Sequence, residues 1–147
     1  MFMSVSSNTE SVVSVRGSRR LGERLGTAGA VLGAGFIISV GGGYLLAPER
    51  MAPGFGLPDW PRGEADGFLN IKGVRDVATG LIMLVLLAAG QRRALGATLL
   101  TIALIPTGDM LTILVRRGST ATALSVHGLT AVLVAAAGAL LLRRENR

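Results

Sequence analysis

A chain of 147 residues, half of them hydrophobic and only 16% charged, with a mean hydropathy of +0.54, is too apolar for an ordinary water-soluble domain of this length. Its net charge of +6 comes largely from arginines in short runs beside apolar stretches, a pattern suited to anionic lipid headgroups. No nucleic-acid-binding motif accompanies that charge, and the lack of cysteine excludes disulfides, thiolate metal sites and a cysteine nucleophile.

Residues 1–24 are rich in serine, then basic at Arg16, Arg19, Arg20 and Arg24, and read as a flexible basic cytoplasmic tail. The apolar stretch that follows holds 24 uncharged residues from Leu25 to Pro48. It exceeds the ~7–15 residues of a secretory signal core and suffices to cross a bilayer core of ~30 Å. A first span is expected over about 25–47. Next, Ala47 to Gly67 carries four of the five prolines, four glycines and Trp60, and reads as an irregular or re-entrant surface loop.

The second span, about 68–90, has only 15 uncharged residues between Val77 and Gln91, so its helix must reach back through Asp76, Arg75 and Lys72 to cross. The third, about 94–115, is interrupted by Pro106 and Asp109, and the proline is expected to kink it one turn before the aspartate. The fourth, about 119–142, is uncharged if His127 is neutral, and residues 143–147 form a basic end. Gln91–Arg93 and Arg116–Gly118 serve as tight antiparallel turns. The fold expected is all-α, a four-helix transmembrane bundle in the cell membrane.

With an even number of spans both termini share a side. Nine Lys and Arg residues lie on that side, against four on the other, or six with Lys72 and Arg75. The positive-inside rule therefore puts both termini in the cytoplasm. Small residues recur along spans one and four, at Gly22, Gly26, Gly29 and Gly33 and at Ala131, Ala135 and Ala139, so these helices are expected to approach closely. The Gly41-Gly42-Gly43 run reads as a frayed helix end, since no Lys-Ser/Thr pair follows it to make a phosphate loop.

Ionisable groups inside hydrocarbon cost about 2.5–3.5 kcal/mol each for Asp, Lys or Arg, so those present need a partner, water or a task. At ~1.5 Å rise per residue, Asp76 and Asp109 lie ~9 Å and His127 ~12 Å below the surface opposite the termini. Three helices thus bring ionisable groups to one level. Asp109, His127 and Asp76 are the candidate acid/base residues, and Asn70, Lys72 and Arg75 the candidate substrate-binding residues, of a polar pocket in the outer half of the bundle. The same charges could instead pair to hold the bundle together. No metal-ligand spacing or cofactor motif is present, so neither a metal nor a cofactor is expected.

The run Phe68-Leu69-Asn70-Ile71-Lys72-Gly73-Val74-Arg75-Asp76, with Thr79-Gly80-Leu81 and Gly90-Gln91-Arg92-Arg93-Ala94-Leu95-Gly96, resembles a family of small bacterial and fungal membrane proteins known only as a domain of unknown function. Leu104-Ile105-Pro106 with Asp109, and Val126-His127-Gly128 with Thr130-Ala131, are similar to its later motifs. The resemblance spans roughly 26–142 and implies a four-helix membrane protein, without a reaction, substrate or cofactor. Three functions stay open. One is a pocket that binds or converts a small lipophilic molecule from the outer leaflet, with Lys72 and Arg75 attracting an anionic or carbonyl group. The others are a proton- or ion-coupled carrier and a structural subunit that joins a second copy or another membrane partner.

Overall fold

A computed structural model describes the backbone of residues 6–143 and the side chains of residues 21–143. The arginines at 16, 19 and 20 and the basic end beyond Arg143 therefore lie outside the described side chains. Among the described residues there are helices and loops and no strand. Helix α1 (Ser6–Leu46) begins within the segment read as a tail and runs unbroken through Gly41-Gly42-Gly43. That glycine run is therefore not a frayed end. Packing calls for two of the three glycines, since a Cβ at Gly41 would collide with the Gly73 backbone and one at Gly43 with Met51.

A short helix α2 (Pro48–Met51) and two 3₁₀ turns (Ala52–Phe55 and Gly63–Asp66) then fill the proline-rich connection. Helix α3 (Gly67–Ala88) follows and ends at Gly90, whose positive φ of 68° favours glycine, with the Gln91 N–H donating back to the Leu86 carbonyl at 2.9 Å. Helices α4 (Arg92–Ile102) and α5 (Leu104–Val115) are two parts of one stretch, parted at Ala103. Pro106 explains the break. It has no N–H for the Ile102 carbonyl, and the Thr107 hydroxyl supplies an extra donor to the Ala103 carbonyl at 2.7 Å. Helix α6 (Thr120–Thr122) is capped by Ser119 and passes through a π-helical turn (Ala123–Gly128) into α7 (Leu129–Leu142).

Three of these stretches, Leu21–Leu46, Arg92–Val115 and Thr120–Leu142, are long and apolar enough to cross a membrane. The chain is therefore a membrane protein, and the many exposed large apolar side chains, such as Leu32, Phe36, Leu81, Val85 and Val132, suit lipid rather than water. The remaining long helix, α3, carries Lys72, Arg75 and Asp76 in its first half.

Packing follows from side-chain size. Helix α1 lies along α3, where a Cβ at Gly41 would stand 2.7 Å from the Gly73 carbonyl oxygen and one at Gly80 would stand 2.9 Å from the Ala34 carbonyl oxygen. Only glycine lets the two backbones meet there, gaining the dispersion contacts that hold helices together in lipid. Helices α4 and α7 meet likewise at Gly96 and Gly138. Between α1 and α7 the small-residue contact is Gly26 and Gly29 against Ala137 and Leu141. The buried face of α7 is thus Ala137, Gly138 and Leu141, whereas Ala131 and Ala135 are half-buried and Ala139 is exposed. A stripe read at intervals of four drifts around a helix of 3.6 residues per turn, which is why it missed that face.

Candidate functional site

Ionic and aromatic groups gather at the end of the molecule remote from the chain termini. One turn of α3 separates Lys72 from Asp76, and the Lys72 ammonium reaches down to the Asp76 carboxylate as an i,i+4 ion pair at 2.5 Å. Asp76 is 8% exposed, the one buried charged residue among those described, so its partner is what makes its burial tolerable. The ammonium also lies 4.7 Å from the centre of the Tyr44 ring and 5.6 Å from that of Phe55, a cation between two π-faces. Tyr44, buried near the end of α1, donates its hydroxyl to the Met51 carbonyl at 3.3 Å.

Phe55 joins this pair to the second one. Its ring meets the His127 ring edge-on, with centroids 4.8 Å apart, and its carbonyl stands 3.0 Å from His127 Nε2. The neighbouring Gly56, at φ 98° and hard against Thr122, accepts the Ser119 N–H at 2.8 Å, so two successive residues fasten the connection, Phe55 to the π-helical turn and Gly56 to the α5–α6 turn. On the other side of the imidazole, Nδ1 lies 3.6 Å from Asp109 Oδ2, an ion-pair distance. The π-helical turn holding His127 widens the helix locally, a feature common at functional sites.

The donor count constrains the protonation of this pair. A carbonyl can only accept, so Nε2 carries a hydrogen toward Phe55. A second proton on Nδ1 makes the ring a cation facing Asp109, and Lys72, Asp76, His127 and Asp109 then sum to zero charge. Without it a lone pair would face a carboxylate. Among the described residues no three carboxylates and imidazoles converge as metal ligands.

Of the residues singled out from the sequence, Lys72, Asp76, Asp109 and His127 are drawn together around Phe55. Asn70 is not among them in role: its amide donates to the Tyr44 carbonyl at 3.0 Å and satisfies the end of α1. Arg75 is exposed and takes part through its backbone, its carbonyl accepting the Thr79 hydroxyl at 2.8 Å. Tyr44 and Phe55 belong to the site as well, and no motif in the sequence marks either of them. The Gly54-Phe55-Gly56 triplet in a proline-rich segment was the one hint that this ring is placed by a turn.

A crevice adjoins the cluster. It lies between α1 and α7, has a volume of about 530 Å³, and is walled by Leu25, Leu32 and Phe36 on one side and Leu133 and Leu140 on the other, over Met83 and Leu99. A further space of about 70 Å³ shares Gly33, Phe36, Met83, Thr130 and Val134 with it and reaches Asp76, Thr79 and Pro106. The sequence reading put a pocket in the half of the bundle remote from the termini. This crevice extends from Asp76 toward the termini.

Residues 34–141 match the family described as Domain of unknown function (DUF4267), which covers most of the chain, and the chain belongs to that family. No curated protein and no solved structure matches it.

Proposed function

We propose that this member of the DUF4267 family crosses the cell membrane four times, with both termini cytoplasmic, and takes a small lipophilic molecule from the bilayer through the α1–α7 crevice to Asp76. Support for the fourth crossing comes from the ends of α3. Arg92, at the start of α4, pairs with Glu23, near the start of the first span, at 3.3 Å, so α4 begins level with the start of that span. Helix α3 leads from the loop end back to that end, and its 22 residues measure about 33 Å at 1.5 Å rise. The bias of Lys and Arg toward the termini supports the orientation.

The observation that carries the functional reading is the junction at Asp76. One face of this buried carboxylate is tied to Lys72, and another lines the space that continues the apolar crevice. An apolar cavity of this size ending on a few polar groups is the usual form of a small-molecule site. With Lys72 neutralised and Arg75 exposed, an anionic head finds no free cation there. Acid/base conversion of the bound molecule would fall to Asp76, with the Asp109–His127 pair beyond it as the store of a proton. The imidazole and carboxylate at ion-pair distance also favour a second reading, a proton-coupled carrier in which the pair relays charge.

The test is to purify the protein in mild detergent and identify lipophilic molecules in its organic extract by mass spectrometry. A molecule enriched with the native chain and lost from Gly33→Leu, a substitution that fills the crevice where it narrows, is the expected result. Equal recovery from both proteins would contradict the reading.

A further inference from the structure

We infer that the crevice selects a lipophilic alcohol, a ligand whose head donates a hydrogen bond. This rests on the reading of the crevice as a binding site and names the chemistry of its occupant.

Three polar side chains line the two connected spaces: Asp76, Thr79 and Thr130. Each offers an acceptor and no donor. The Thr79 hydroxyl hydrogen is committed to the Arg75 carbonyl at 2.8 Å and that of Thr130 to the Val126 carbonyl at 2.6 Å. Both oxygens keep a lone pair. Asp76 is a carboxylate, with Lys72 on Oδ2. At the same wall Pro106 brings no N–H and leaves the Ile102 carbonyl without its i+4 donor, and both residues line the space. The backbone N–H groups of the lining helices are taken up in their own helical bonds.

A ketone, ester or ether entering such a space meets lone pairs with its own lone pairs. A hydroxyl has a hydrogen to give to Asp76 and hydrogen-bonds to a charged acceptor in low dielectric, the stronger kind of bond. An ammonium could donate too, but the Lys72–Asp76 pair is already neutral, and a second cation would enter hydrocarbon uncompensated. Along α1 the apolar wall from Leu25 to Phe36 is about 16 Å long at 1.5 Å per residue, room for a single extended chain.

The test uses full-length protein in nanodiscs loaded with radiolabelled tetradecanol and competed with unlabelled tetradecanol, its methyl ether and the matching methyl ketone. The alcohol is expected to compete at least about tenfold better than either, the loss of one hydrogen bond to a charged group. Asp76→Asn, whose amide can donate, should narrow the gap between alcohol and ketone. The comparison of the three ligands on the native chain keeps the test decisive if the aspartate variant does not fold. Equal competition by all three would overturn the donor requirement while leaving the crevice as a binding site. No saturable binding of tetradecanol or its analogues would overturn the crevice reading itself.

Discussion

Helix α1 has two seams, and they are built differently. Against α3 it closes at Gly41, Gly73 and Gly80, where backbone meets backbone and no side chain fits. Against α7 it touches through Gly26 and Gly29 but is held off elsewhere by Leu25, Leu32 and Phe36, which leaves the crevice. Lipid gives neither seam a hydrophobic drive, so the spacing of the backbones decides how strongly each holds. The tight seam supplies cohesion, and the open one supplies space that the bilayer can reach. On the proposed function, binding falls on the more open of the two seams.

The largest effect should come from breaking the tight seam. Gly41→Leu is expected to cost more than about 3 kcal/mol, because its side chain meets the α3 backbone rather than a movable side chain, and to abolish folded protein in thermal unfolding in mild detergent. Lys72→Met, at the end of that seam, leaves the buried Asp76 unpaired. The cost expected in the same assay is about 2 kcal/mol, below the ~3–5 of a fully buried pair because the Lys72 side chain is 28% exposed. His127→Ala removes the bond to Phe55 and should cost about 1 kcal/mol while speeding amide exchange across residues 52–56, read by hydrogen-exchange mass spectrometry. Gly33→Leu sharpens the contrast. A Cβ there meets only the end of the unbranched Met83 side chain, at 3.5 Å, so filling the open seam should change stability by less than about 0.5 kcal/mol.

What the sequence revealed and what it hid divide along physical lines. The all-helical class and the break before Asp109 follow from local properties, apolar runs and a proline without an N–H. Helix rise alone is enough to expect Asp109 and His127 at similar depth, and the two stand 3.6 Å apart. Rotation about a helix is harder to read. Lys72, Arg75 and Asp76 fall on one broad arc, and only packing against α1 turns Asp76 inward and Arg75 out. Phe55 lies in a segment with no periodicity, so nothing local ties it to His127, 72 residues later. The crevice was hidden for a related reason: it exists because α1 and α7 stand apart, which depends on both helices at once.

The central claim, that the open seam admits a lipophile from the membrane, is tested most directly by photolabelling. A long-chain alcohol bearing a diazirine near its tail is activated in nanodiscs, and the labelled peptides are mapped by mass spectrometry. Labelling concentrated on residues 25–36 and 129–142, and displaced by excess tetradecanol, is the predicted outcome. Labelling spread as heavily over the outward residues of α3, such as Val74, Leu81 and Ile82, would contradict the account.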